Sequence, residues 1–203
     1  MGQAPNGIIG REAEGTILST GGGNINDLKV GDRVVWLSIG GYAEYTAVPV
    51  ITTYAVPPEV KPGVAAAALL QGLTALTLSH RICQVKKGDW VLVHAAAGGV
   101  GLWLCQLLRA IGANTIGTAS TPEKIQLAKN NGADFMINYK EESDLVQRVV
   151  EITSGQGVSV AYDSVGKDQT QNNVEVVAKG GTIVGYGASV SGFCILLANK
   201  VSD

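Results

Sequence analysis

Val91-Leu92-Val93-His94-Ala95-Ala96-Ala97-Gly98-Gly99-Val100-Gly101 decides the fold. It reads as a short apolar strand, a turn of small residues and the first turn of a helix, in the order that opens a dinucleotide-binding βαβ unit. Small residues in the turn let a pyrophosphate approach main-chain N–H groups, and the helix dipole favours an anion there. The G-x-G-x-x-G register falls on Ala96 to Gly101, with alanine in place of the first glycine. Leu102, Leu104, Gln106, Leu107, Leu108 and Ile111 follow at helical spacing, which supports the strand–turn–helix reading.

Outward from this stretch, strands are expected at 114–119, 134–138, 158–163 and 181–186 beside the first at 90–95. Helices are expected at 99–111, 121–131, 143–153 and 168–178. Such alternation makes an α/β fold, a doubly wound parallel sheet with helices on both faces. Thr121-Pro122-Glu123 is a helix start, with a cap, a proline at the first helical position and an acid in the first turn. Ser143 or Asp144 opens the next helix. Gly180-Gly181 closes the last one and admits the fifth strand.

Upstream, residues 8–18, 28–36 and 40–48 read as short strands entered through glycine turns, with no helix between them. They form a small barrel-like β unit. Pro57-Pro58 breaks that pattern. Val64 to Leu78 then reads as a long buried helix, interrupted near Gly72, that bridges the two regions. The expected organisation is a partial β domain over 1–70, a Rossmann domain over 71–190 and a divergent tail over 191–203.

The 203 residues are 46% hydrophobic and 16% charged, enough for a large buried core, and the net charge of −2 argues against a nucleic-acid surface. No run approaches the roughly 18–20 apolar residues of a membrane span, and the chain opens without a basic-then-apolar signal, so a cytoplasmic protein is expected. Cys83, Cys105 and Cys194 are isolated from one another, which disfavours a disulfide framework or a zinc lobe. His94 ends an apolar strand and reads as a packed core histidine; His80 reads as a helix-end residue.

An NAD site carries an acid about 20 residues beyond the glycines, where it holds the ribose hydroxyls. Here that place is Thr118-Ala119-Ser120-Thr121, with no carboxylate to repel a 2′-phosphate. Ser120 and Thr121 supply hydroxyls and Lys124 a cation, so NADPH is the expected cofactor. Glu123 must then face away. Tyr139, after the third strand, is placed to cover the adenosine end. Ser164 follows the fourth strand, beside the point where strand order reverses, and Tyr186-Gly187-Ala188-Ser189 ends the fifth with small residues.

Gly10-Arg11-Glu12-Ala13-Glu14-Gly15, Val30-Gly31-Asp32-Arg33-Val34, Gly41-Tyr42-Ala43-Glu44-Tyr45, Leu70-Gln71-Gly72-Leu73-Thr74-Ala75, the stretch His94 to Gly101, and Tyr162 to Asp168 occur in this order. As an ordered set they resemble the zinc-less medium-chain reductases of the quinone oxidoreductase, or zeta-crystallin, type. The resemblance covers about residues 5–192. It implies a GroES-like β domain beside the Rossmann domain, and NADPH-dependent reduction of quinones or related α,β-unsaturated carbonyls. It carries cofactor contacts onto Gly98 to Gly101, with Gly99 and Val100 at the pyrophosphate turn. It carries them also onto Ser120, Thr121 and Lys124 at the 2′-phosphate, and onto Tyr139, Ser164 and Tyr186 to Ser189. Thr74 and Thr77 are placed beside the nicotinamide.

Where zinc-dependent relatives have Gly-His-Glu, this chain has Gly10-Arg11-Glu12, and a protonated guanidinium cannot ligate a metal. No metal site and no catalytic residue is named from the sequence. The resemblance implies a homodimer, yet after Ser191-Gly192 the tail departs from the pattern, and the pairing strand is expected to be missing, with the sheet edge uncovered. Two other readings stand beside the quinone reductase: a non-catalytic NADPH-binding fragment, and an RNA-binding role, for which no basic stripe or aromatic platform is visible.

Overall fold

The computed structural model describes residues 7–23, 25–166, 169–187 and 196–199, the last four as backbone. The chain divides into two compact units, Met1–Leu73 and Thr74–Asp203.

The first unit carries β1 (Glu12–Thr16), β2 (Arg33–Leu37) and β3 (Thr53–Ala55) in one antiparallel sheet of order β1-β2-β3. Leu28, Val34 and Trp36 are its buried core. Glu14 pairs with Arg33 at 2.9 Å, and the Arg33 guanidinium also donates to the Val60 carbonyl. The third strand is not at 40–48 as expected. Gly41 is pressed against β1, where a Cβ would stand 2.8 Å from the Glu12 carbonyl oxygen; 42–45 follow bends and pairing resumes only at Thr53.

Helix α1 (Val64–Leu76) runs unbroken through Gly72 and continues as a π-helical turn, Thr77–Ile82. Within α1 only Ala75 is buried, so the expectation of a buried, interrupted helix is corrected on both counts. Its alanine- and leucine-rich composition supplies helix propensity rather than a core face.

The second unit holds β4 (Trp90–Val93), α2 (Gly99–Ile111), β5 (Asn114–Ala119), α3 (Pro122–Asn130), β6 (Phe135–Asn138), α4 (Leu145–Ile152), β7 (Val158–Asp163), α5 (Thr170–Val176), β8 (Val177–Gly185) and β9 (Leu196–Asn199). Their sheet has the order β6-β5-β4-β7-β8-β9. All pairs from β6 to β8 are parallel, so the α/β reading holds, and strand order reverses between β4 and β7. Side chains alternate across the sheet: Val91 and Val93 of β4 pack with Leu104 and Leu108 of α2 in one layer, while Leu92 joins Ile116, Leu145 and Val149 in the other. Each leucine or isoleucine buried this way is worth about 1.5–3 kcal/mol of transfer free energy.

Helix ends follow from local chemistry. Gly112 closes α2 at φ +85°, a left-handed residue that returns its N–H to the carbonyls of Leu108 and Arg109. Thr121 caps α3 and Asp144, rather than Ser143, caps α4 by accepting the Gln147 N–H at 2.8 Å.

Two expectations at the far edge are corrected. Gly180-Gly181 does not end a helix: α5 stops at Val176 and both glycines lie inside β8, where the register jumps from Val158↔Val177 to Val160↔Thr182 and the strand bulges. A Cβ on Gly181 would meet the Val158 and Ser159 carbonyls at 2.9 Å, so glycine is what the bulge admits. Nor is the edge of β8 uncovered. β9 pairs with it antiparallel, from Thr182↔Asn199 to Gly185↔Leu196.

Candidate functional site

All five parallel strands end on one side, and their carboxyl-end loops meet at the reversal between β4 and β7, where open parallel sheets take ligands. A cleft of about 430 Å³ lies there. Its walls are the turn His94, Ala95, Ala97 and Gly98; the β5 end Thr118, Ala119, Ser120 and Lys124; and Tyr139, Leu145, Val165 and Gln169. A larger hollow of about 630 Å³ over β1 and β2, walled by Val34, Trp36 and Tyr45 among others, has neither an α-helix start nor a lysine in its walls.

The turn is built by close contact. Gly98 donates its N–H back to the Ala95 carbonyl at 2.8 Å, so it closes the turn and is not a free donor. That leaves the first-turn N–H groups of α2, Gly99, Val100 and Gly101, without intrahelical partners. Gly101 is buried against the turn: a Cβ there would lie 2.5 Å from the Ala95 carbonyl oxygen and 2.7 Å from that of Ala96. Ala95 itself sits at φ +50°, an uncommon conformation for a residue with a Cβ. The cradle therefore fits a pyrophosphate: small, tightly wound and ending in free N–H groups.

At the β5 end, the Thr121 hydroxyl accepts the Lys124 N–H at 3.3 Å and also bonds the Glu123 carboxylate, which it holds below the usual carboxylate range. Glu123 is thus engaged at the helix start and does not line the cleft, whereas Ser120 and Lys124 do. Among the described residues the ion pairs are Arg33–Glu14 and Arg148–Glu151, so the Lys124 ammonium is not neutralised. The cleft accordingly offers a hydroxyl and a cation where an adenosine 2′-phosphate would lie, with exposed Tyr139 beside them at the end of the neighbouring β6.

Of the residues expected from sequence, Gly98, Ser120, Lys124 and Tyr139 line this cleft. Gly99, Val100 and Gly101 are not in its wall; they form the first turn of α2, directly after Gly98, which is. Thr121 is spent on the α3 cap. The Ser164 side chain bonds the hydroxyl of buried Tyr186, whose phenol is pushed up to about 12 by burial. Neither these two, nor Gly187, nor Thr74 and Thr77 on α1 and the π turn, is in the cleft wall. Ala188 and Ser189 lie outside the described residues. Sequence reasoning missed His94, Thr118, Leu145, Val165 and Gln169 as walls. Thr118 had a signal, being the last inward-facing polar residue of β5 before Ser120; Leu145 and Gln169 had none, because later loops bring them there.

A buried polar chain runs beneath the cleft. Asp163 at the β7 end accepts Val165 and Gly166 N–H groups on Oδ1, at 2.8 and 2.9 Å, and the Asn173 amide on Oδ2 at 2.8 Å. Asn173 Oδ1 pairs with His94 Nε2 at 2.8 Å, and His94 Nδ1 faces the Thr118 hydroxyl at 3.4 Å. His94, Thr118, Asp163 and Asn173 are each at most 4% exposed. Burial holds the His94 pKa below its ordinary value against the opposing pull of Asn173 and Asp163. The expectation of a packed core histidine holds in that His94 is 1% exposed, and it also edges the cleft.

Comparison with known proteins bears on the family. Residues 99–199 match the family described as zinc-binding dehydrogenase, a match that reaches into the tail. A probable quinone oxidoreductase of Schizosaccharomyces pombe is 48% identical over 181 residues, which are 89% of this chain and 54% of the relative. The chain belongs to the quinone oxidoreductase type of the medium-chain dehydrogenase/reductase family. Within that family, a 2-haloacrylate reductase of a Burkholderia species is 38% identical over 184 residues, 89% of this chain and 55% of the relative. The solved structure of Escherichia coli quinone oxidoreductase complexed with NADPH superposes with a TM-score of 0.84 at 38% identity, covering 94% of this chain and 58% of that one. The chain spans about half the length of the curated relatives it matches. Among the described residues no helix is long and apolar enough to cross a membrane.

Proposed function

We propose that this family member binds NADPH in the cleft at the β4–β7 reversal and serves the metal-independent reduction of quinones or related α,β-unsaturated carbonyls. The observation that carries the reading is the pairing of two features in one cleft: the small-residue turn Ala95, Ala97 and Gly98 that leads into the start of α2, and Lys124 with Ser120 at the end of β5. The first suits a pyrophosphate and the second a ribose phosphate, at the separation a βαβ unit provides. The relatives point the same way, two of them being a quinone oxidoreductase solved with NADPH and a reductase of haloacrylates, which are electron-poor alkenes.

NADPH, when bound, supplies a hydride to an electron-poor acceptor, a step that needs positioning more than a strong protein acid. The chain's own residues bind and orient. Gly99 and Val100 donate main-chain N–H groups to the pyrophosphate. Lys124 and Ser120 hold the 2′-phosphate and discriminate against NADH, and Tyr139 covers the adenosine. Arg11 stands where zinc-dependent relatives carry a histidine ligand, which supports a reaction without metal. A cytoplasmic location, a small-molecule substrate and a homodimer belong to the same reading. A dimer formed along the sheet edge would pair through β9, the outer strand.

The test is binding of NADPH and NADH to the 203-residue chain, followed by nicotinamide fluorescence, together with NADPH oxidation by a simple ortho-quinone. Tighter NADPH binding with turnover is expected. A folded chain that binds no NADPH overturns the reading. Binding without turnover on quinones or enones makes the chain a non-catalytic dinucleotide binder, and salt-sensitive RNA retention competed by NADPH would support the RNA-binding alternative.

A further inference from the structure

The buried chain beneath the cleft has a direction that its two ends impose. The Asp163 carboxylate can only accept, so Asn173 must turn its amide nitrogen toward it, and Asn173 Oδ1 is then what faces His94. His94 Nε2 therefore carries the proton. At the other end the Thr118 hydroxyl accepts the Ala95 N–H at 3.3 Å, which leaves its own hydrogen for His94 Nδ1 at 3.4 Å. Every group donates to the next: Ala95 N–H to Thr118, Thr118 to His94, His94 to Asn173, Asn173 to Asp163.

The chain joins the two walls of the cleft. Ala95 belongs to the phosphate turn, and its left-handed φ of +50° is held by this bond together with the Gly98-to-Ala95 closure. Asp163, at the opposite end, orders Val165 and Gly166, and Val165 is in the facing wall. Asn173 is fully buried and not itself in the cleft wall. A hydrogen bond in this dry setting is costly to leave unmade, so the five groups settle together or not at all.

We infer that His94 and Asn173 are positioning residues for the cofactor: a one-way hydrogen-bond chain fixes His94 as its Nε2–H tautomer and thereby sets the phosphate turn against the Val165 wall. The inference rests on the NADPH reading for its ligand but not for its tautomer.

Nitrogen-15 NMR of histidine-labelled chain tests it. Only His80 and His94 contribute, and His94→Gln assigns them. The expected wild-type spectrum shows His94 neutral, protonated at Nε2 and bare at Nδ1. In Asn173→Ala the expected result is mixed His94 tautomers and NADPH affinity lowered about tenfold, the scale of a coupling between two sites. A wild-type His94 protonated at Nδ1 overturns the inference, and this measurement needs neither the variant nor the cofactor. So does a folded Asn173→Ala chain that binds NADPH within twofold of wild type. A wild-type chain that binds no NADPH, with the expected tautomer present, overturns the cofactor reading and the positioning role with it, while the His94 assignment stands.

Discussion

Gly101 lies so close beneath Ala95 that a Cβ on the glycine would stand 2.5 Å from the alanine's carbonyl oxygen. Backbone, not a flexible side chain, blocks the way. Gly101→Ala should therefore cost stability at the upper end of the overpacking range, about 3 kcal/mol, and weaken NADPH binding as the turn is pushed open. Chemical denaturation and fluorescence titration check the two effects. Gly88→Ala is the contrast: nothing lies within 4 Å of its Cβ, but its φ of +89° still exacts a backbone penalty. It should lower stability without touching cofactor affinity.

Lys124→Ala should abolish the preference for NADPH over NADH. A charge-assisted bond to a phosphate is worth about 1.5–3 kcal/mol, so NADPH affinity should fall roughly ten- to a hundredfold while NADH affinity stays put. The preference of the wild type should also shrink as salt is raised, because the exposed lysine is screened. An unchanged preference in the variant would place the phosphate site elsewhere.

Acid should weaken the fold through His94. Burial holds its folded-state pKa below the ordinary 6.5, so between those two values the unfolded chain binds a proton that the folded chain refuses. Stability contributed by this group is full above the unfolded pKa and falls as pH drops below it, levelling once the folded pKa is passed. Urea midpoints measured from pH 8 downward should show that decline in the wild type and a flatter curve in His94→Gln.

Asp163→Asn should be far more damaging than Asp134→Asn. The buried Asp163 carboxylate accepts three hydrogen bonds, and an amide would turn a donor toward at least one of those donors, at a cost of about 3 kcal/mol or more. Asp134 accepts one, from the Thr115 N–H, and is exposed, so an amide oxygen can take over and the change should cost at most about 1 kcal/mol. Thermal melts of the two variants side by side decide the point.

Much of the second unit was legible because its signals are local. The run Val91 to Gly101 encodes a strand, a turn and a helix in consecutive residues, and Thr121-Pro122 marks a helix start by chemistry that acts within a few positions. What stayed hidden depends on distant partners. Gly180-Gly181 looks like a helix stop, and only the carbonyls of Val158 and Ser159 reveal it as a bulge within β8. The segment 40–48 has a strand-like pattern, but the contact of Gly41 with Glu12 bends it. In the cleft, Ser120 and Lys124 were readable from their distance to the glycines. Leu145 and Gln169 reach it only because the chain doubles back, and Asn173 finds His94 across seventy-nine positions.

The shared direction of β4 to β8 separates two kinds of surface. Carboxyl-end loops carry Ala95 to Gly98, Ser120, Tyr139 and Val165, while the opposite pole holds tight connections such as Lys86–Asp89 and Gly155–Gly157. None of the second set lines the cleft. Affinity tags, immobilisation linkers or fluorescent labels placed at those rear connections leave the recognition pole untouched, which gives anyone engineering this scaffold a free end to hold it by.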